Sequence, residues 1–379
     1  MTNEDLEEGI EAIRFLSEEI GPRPSASPEE AAAGLYLADR FQKLGLKPET
    51  EGFRSARSFG PAYLIIFGLA TLACFAKRGP FRFLLGGVAA GLGIADGRFS
   101  RFGASALTKW RRSRNLHVSI EPSGPVEQTV CLVSHLDSSR SGLMFHPRVT
   151  PVLGKLVAAT GAALVVQGLE PLVGRGPGRS LVFMARALCA LACGLVLERE
   201  VRGQNVAGAN DNASGVGACL ALATCLTAEP LERTRVVVLA TGSEESGVIG
   251  MSEFLKRHDT EEWTFINFDG VSADASLRVL SKEGGPLGAV DADQELLRLA
   301  TVVGERDPEL KAVPLEHGSG LPYDATPVLV AGGHAISVVN QDGAIPDYHW
   351  PSDRFDHVSP DAFKRAVRFA RVLLAEIDS

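Results

Sequence analysis

Three apolar runs that each stop at a histidine or an acid constrain this chain more than any other feature: TVCLVSHLD (129–137), TRVVVLATGSEE (234–245) and WTFINFDG (263–270). Runs so short and so apolar read as strands buried on both faces, the pattern of a parallel sheet covered by helices. A fourth, HAISVVN (334–340), follows, and helical patterns lie between and after them: GVGACLALATCL, SGVIGMSEFLKRH and the closing PDAFKRAVRFARVLLAEI. Strands alternating with helices imply an α/β fold with a mixed, largely parallel central sheet and helices on both faces. Chemistry collects where such strands end.

Two helices precede the strands. Asn3 or Asp5 is placed to cap the first, and SPEEAAAGLYLADRFQKLGL runs from a Ser27 or Pro28 start to a Gly45 stop. RRSRNLHVSIEPSG reads as an edge strand leading to the buried one that carries His135. Two apolar stretches interrupt this order. The first pairs 58–76 with 83–95 about the basic turn KRGPFR, and the second pairs 149–169 with 181–197 about the turn GRGPGRS (174–180). The expected division is one α/β domain made of 1–54, 98–148 and 198–379, with apolar helical hairpins inserted at 58–97 and 149–197.

Charge narrows the partners. At a net charge of −8 and a pI of about 5.6, no global basic field draws the chain to nucleic acid. The opening residues, MTNEDLEEGIEAIRFLSEEIG, lack the basic start and apolar core of a cleavable secretory signal. Six cysteines form no CxxC pair, and most sit within apolar runs as small hydrophobes, which suits a reducing compartment.

Five short runs gather acids and histidines: SHLDS (134–138), GANDNASG (208–215), GSEESG (242–247), NFDG (267–270) and DYHWPSD (347–353). Each alone has a structural explanation. An HxD on a strand puts both side chains on one face and suits a hydrogen-bonded pair; an Asp beside glycine suits a cap or an Asx-turn; a helix N-terminus welcomes Glu244 and Glu245; His349 reads as a loop histidine. Together they supply imidazole nitrogens and carboxylate oxygens in the number that two neighbouring metal ions need when one ligand is shared.

In order and register these motifs resemble peptidase family M28, a family of zinc peptidases, over residues 115–138 and 203–358 and weakly over the N-terminal helices. The resemblance implies two Zn2+ ions, one on His135, Asp211 and Asp269 and the other on Asp211, Glu245 and His349. It implies Glu244 as general base, Asp137 orienting the His135 imidazole, and Tyr348 stabilising the oxyanion. The implied activity is that of a zinc-dependent exopeptidase, an aminopeptidase first, acting on a peptide substrate. The segment 316–333 resembles the family's substrate-side segment, which makes Tyr323 and Asp324 candidates. Two other readings stand beside this: a glutaminyl-cyclase-like enzyme with a single zinc, and a non-catalytic membrane scaffold on a decayed peptidase domain. Retention of every ligand position argues against both.

Where the family has a short connection between its HxD and DN motifs, this chain inserts the second hairpin. Both hairpins admit three uses: membrane association, a soluble helical cover, or homodimer contact. A spanning helix needs about 20 apolar residues, and only 58–76 approaches that without a charge, since Lys155 and Arg186 lie in the second hairpin. Arg54, Arg57, Arg98, Arg101, Lys109, Arg111, Arg112 and Arg114 flank the first hairpin and outnumber Lys77, Arg78 and Arg82 in its turn. A positive-inside bias then makes the catalytic domain cytoplasmic-facing and membrane-associated; the alternative is a soluble cytoplasmic protein.

Overall fold

The apolar runs form the middle of an eight-stranded sheet. In chain order the strands are β1 (Glu49–Ser55), β2 (Arg111–Ile120), β3 (Gln128–His135), β4 (Thr234–Thr241), β5 (Trp263–Phe268), β6 (Leu277–Leu280), β7 (Lys282–Glu283), β8 (Val290–Asp291), β9 (Val313–Leu315) and β10 (His334–Asn340). The sheet order is β1-β2-β4-β3-β5-β10-β6-β9, with β7 and β8 paired separately. This computed structural model describes residues 1–77, 79–173, 176, 178–284, 289–315 and 320–379. Arg78, part of the turn 174–180 and the start of the segment 316–333 lie outside the described residues.

The four central strands β4, β3, β5 and β10 are mutually parallel, while β1–β2, β2–β4 and β6–β10 pair antiparallel. Parallel pairing brings the C-terminal ends of β3, β4, β5 and β10 to one edge, where three of the sequence motifs begin. The edge strand is β1, not β2. Its sequence ETEGFRS is polar and carries a glycine, so nothing in it alternates strongly enough to read as a strand.

Helices pack on both faces. Thr2, rather than Asn3 or Asp5, caps the first helix, Asn3–Arg14: its hydroxyl accepts from the Asp5 N–H at 3.2 Å, and the Asp5 carboxylate accepts from the Thr2 N–H at 2.6 Å. Ser27 caps helix Pro28–Lys43. The small-residue helix Ser214–Ala228 is buried along most of its length and lies against β3 and β5. Helix Asn3–Arg14 packs on it so closely that a Cβ on Gly9 would stand 2.7 Å from the Gly217 carbonyl oxygen.

The two apolar hairpins join into one four-helix bundle. Gly60–Phe75, Gly79–Gly97, Leu153–Gly168 and Gly178–Arg202 form a ring in which each helix packs on two others. Their shared core, including Ala62, Phe67, Ala163, Leu164 and Cys189, is separate from the core of the sheet. At the far end Arg186 and Arg82 share the Glu170 carboxylate at 2.6 and 3.1 Å. At the near end the buried Arg199 guanidinium donates to Ser58 Oγ at 2.8 Å and to the Arg140 carbonyl at 3.2 Å, and lies 4.1 Å over the Phe59 ring. This arginine ties the bundle to the loop that follows β3.

The stretch 58–76, the closest to a span by its freedom from charge, yields a helix of only 16 residues, or about 24 Å. Among the described residues, the helices long and apolar enough to cross a membrane are Thr150–Gly168 and Gly178–Arg202, of 19 and 25 residues. The charge that counted against the second, Arg186, is neutralised by Glu170.

Candidate metal centre

Three of the five motifs reach the site because a strand ends beneath them, and the other two come from loops. β3 ends on His135; the Asp211 loop leads into helix Ser214–Ala228; β4 is followed by Gly242 and Ser243 and then Glu244 and Glu245; β5 is followed directly by Asp269. His349 comes from the loop after β10, and it holds a left-handed backbone with φ 51°, as do Asp347 at 53° and Ser243 at 59°. Non-glycine residues rarely adopt this conformation, and they gather where a site overrides local preference.

The side chains converge in two trios around one carboxylate. Asp211 Oδ1 lies 3.3 Å from His135 Nε2, which lies 3.6 Å from Asp269 Oδ2. Asp211 Oδ2 lies 3.1 Å from His349 Nε2, which lies 3.2 Å from Glu245 Oε1. Donor atoms of His135, Asp211 and Asp269, and those of Asp211, Glu245 and His349, fall within 4.8 Å of one another. Two donors bonded to one tetrahedral zinc at about 2.0–2.2 Å stand about 3.3–3.6 Å apart, close to the separations observed. His135 Nε2 and Glu245 Oε1 are buried without a hydrogen-bond partner. Both the spacing and the unpaired donors fit a metal ion in each trio.

Electrostatics within the cluster is severe. Burial would raise the Asp211 carboxyl, but the neighbouring His135 and His349 imidazoles outweigh it and hold the group below the usual carboxylate range. Burial pushes Glu244 well above that range, with Glu245, Asp324 and Asp269 adding repulsion against the opposing pull of His135. Asp269 is raised by burial and by Asp211. Burial would lower His349, yet Glu245 and Asp211 bring it up to about 9. Four acids confined with two imidazoles constitute a site that cations stabilise.

Residues 197–374 match the family model "Peptidase family M28". That segment is an M28 peptidase segment. The fold of the chain is similar to a zinc aminopeptidase from Bacillus subtilis, with a TM-score of 0.60 at 16% identity over 98% of this chain and 95% of that one. It is also similar to a glutaminyl cyclase from Bacteroides thetaiotaomicron (TM-score 0.57, 14% identity, 98% and 97% covered) and to a Zn-dependent exopeptidase from Parabacteroides distasonis (0.56, 14%, 97% and 97%). No curated protein matches it in sequence. The family match over 197–374 and the zinc-aminopeptidase fold together support a metallo-exopeptidase hydrolase.

Asp137 lies beside the His135 imidazole and has a second set of partners. The His135 Nδ1 lies 3.0 Å from the Asp137 carbonyl and 3.4 Å from its carboxylate. The carboxylate itself accepts the backbone N–H groups of Glu244 and Glu245, both at 3.1 Å, and the Ser25 hydroxyl at 2.5 Å. It therefore fixes the turn bearing the two glutamates as well as neighbouring the imidazole. Tyr348 stacks on the His349 ring at 3.9 Å and lines the cavity above the trios together with Tyr323. Asp324 is fully buried and accepts from Thr241 Oγ1 at 2.5 Å.

Three residues not singled out in the motifs hold this site in place. Asp353, inside DYHWPSD, accepts the backbone N–H groups of Asn210 and Asp211 at 2.7 and 3.0 Å. Glu30 accepts from the Ser243 N–H at 2.8 Å and from Ser113 Oγ at 2.7 Å. Arg23 is buried, and its guanidinium donates to backbone carbonyls, among them Leu136 and Gly208 beside two of the motifs. An Arg between two prolines in GPRPS was the available signal for the last.

Proposed function

We propose that the chain is a zinc-dependent exopeptidase, an aminopeptidase first, built as a catalytic domain (1–54, 98–148 and 198–379) carrying a bundle contributed by 58–97 and 149–197. What carries this reading is the Asp211 carboxylate, one oxygen of which faces His135 and the other His349. His135, Asp211 and Asp269 would hold one zinc, and Asp211, Glu245 and His349 the other. Zinc bound there would supply Lewis acidity and bring a coordinated water toward neutral pKa. Glu244 takes the attacking water's proton and returns it to the leaving amine. The Tyr348 hydroxyl donates to the developing oxyanion, a contact whose loss costs about 10²–10³ in rate. Asp137, through the N–H groups of Glu244 and Glu245, keeps base and ligand in register.

Metal analysis tests the assignment. The wild-type chain is expected to carry two equivalents of zinc and Asp211→Ala fewer; two retained equivalents in that variant would remove the shared-ligand role. The same measurement separates this reading from glutaminyl-cyclase-like chemistry, for which one equivalent is expected.

The bundle is proposed to sit in a membrane with the catalytic domain on the cytoplasmic side. Its outer surface exposes Leu72, Phe75, Phe83, Leu172, Phe183 and Met184, a distribution suited to lipid contact, while small residues such as Gly86 let its helices approach closely. The basic residues from Arg98 to Arg114 and the exposed Trp110 fall where an interfacial belt would. Fractionation of cells expressing the full chain is expected to place it in the membrane pellet, released by detergent and not by salt; a fully soluble protein would leave the bundle as a cover or a dimer contact.

A further inference from the structure

The trios do not open onto an ordinary surface cleft. One cavity of about 260 Å³ has Asp211, Glu244, Glu245, Asp269 and His349 at one end and continues between the helices of the bundle. All four bundle helices line it, through residues such as Tyr63, Phe67, Val157, Leu164, Leu195 and Val196. Glycines 93 and 161 line it too and leave it room.

This lining favours one kind of occupant. The bundle helices satisfy their own backbone groups and offer few polar side chains; Thr160, which also lines the cavity, already donates to the Leu156 carbonyl at 2.7 Å. An extended peptide entering there would leave buried N–H and C=O groups unpaired, at a cost of about 1–3 kcal/mol each. A hydrocarbon chain carries no such groups and gains from burial. Arg101, Lys109 and Lys256 line the same cavity, beside Asp96, and Lys109 and Lys256 both approach Glu253. The cavity therefore carries cations with which a substrate carboxylate can pair, in competition with Asp96 and Glu253.

We infer that the substrate is a long-chain N-acyl amino acid whose hydrocarbon chain enters the bundle while its amide lies over the trios. The inference rests on the metal-hydrolase reading and replaces its peptide substrate with an acylated amino acid, which carries no free N-terminal amine. In the reaction the water oxygen bonds to the acyl carbon, the amide C–N bond breaks, and Glu244 carries the water's proton to the amine nitrogen. The products are a long-chain carboxylate and a free amino acid, with no change of oxidation state.

Binding to the full-length Glu244→Gln protein in lipid nanodiscs tests the chain site without turnover. N-dodecanoylglycine is expected to bind at least 100-fold more tightly than N-acetylglycine, since each buried methylene is worth roughly fourfold. Ala192→Phe, which fills the cavity away from the trios, is expected to abolish most of that preference, and Val157→Ala to extend the favoured chain by one or two carbons. Equal affinity for the two ligands, or a preference unchanged in both variants, overturns the inference. Glycine release by the unsubstituted enzyme completes the test. Cleavage of leucyl amide without cleavage of N-dodecanoylglycine overturns the inference and leaves the hydrolase standing; cleavage of neither, with tight N-dodecanoylglycine binding and zinc bound, overturns the hydrolase reading and leaves a chain-binding site.

Discussion

Glu244→Gln is expected to keep both zinc equivalents and to lose at least 100-fold of kcat. Glutamine preserves the shape of the side chain and the Glu244 N–H that donates to Asp137 at 3.1 Å, so the turn that carries Glu245 stays fixed. Glutamine lacks only a basic oxygen. General acid–base catalysis contributes about 10²–10⁴ in rate, and Glu244 serves both halves of the proposed reaction, so the upper part of that range is expected. Metal content by elemental analysis and single-turnover rates on leucyl amide check it together. More than a few per cent of residual activity with full metal would remove Glu244 as the base; lost metal would make it a ligand instead.

The residues at the strand ends were legible because burial and chemistry leave different marks on a sequence. A strand covered on both faces must be apolar from end to end, so the polar residue that stops β3, β4 or β5 stands out against it. Asp353, Glu30 and Arg23 left no comparable mark. Their partners lie 142 and 143 residues away for Asp353, 83 and 213 for Glu30, and up to 185 for Arg23. Such contacts arise from the sheet order, which brings β3 between β4 and β5, and no local pattern encodes it.

The insertions follow the same logic. Each apolar hairpin was readable from hydropathy and its turn, but the association of two hairpins separated by the segment 98–148 into one ring was not. Nor was the cavity they enclose. Length was misjudged for a physical reason: charge-free composition picks out 58–76, whereas helix length depends on where the chain is capped and turned. Arg186 reads as an interruption until Glu170, 16 residues earlier, is seen beside it. β1 was missed because an edge strand pairs on one side only and can be almost wholly polar.

Arg23→Met is expected to destabilise the folded chain by about 3–5 kcal/mol, because several buried carbonyls lose their donor at about 1–3 kcal/mol each. The guanidinium is fully buried, and burial brings it down to about 10 against the raising influence of Asp353, Asp137 and Asp211, so it remains charged at neutral pH. Its five contacts are all carbonyls: Leu136 at 3.0 Å, Leu16 at 2.8 Å, Gly21 at 2.9 Å, Ala207 at 2.7 Å and Gly208 at 2.9 Å. Methionine fills much of the space and donates nothing, which leaves acceptors buried without partners. Because Leu136 follows His135 and Gly208 lies three residues before Asp211, zinc affinity is expected to fall about 10–100-fold as well, the usual effect of removing a support behind metal ligands. Arg23→Lys, with one flexible ammonium in place of a planar fork, should recover part of the stability and little of the affinity. Urea unfolding and zinc competition against a chelator measure the two quantities separately. A Met variant within about 0.5 kcal/mol of wild type, the range of an ordinary surface substitution, would mean that the carbonyls find other donors and that the site does not depend on this arginine.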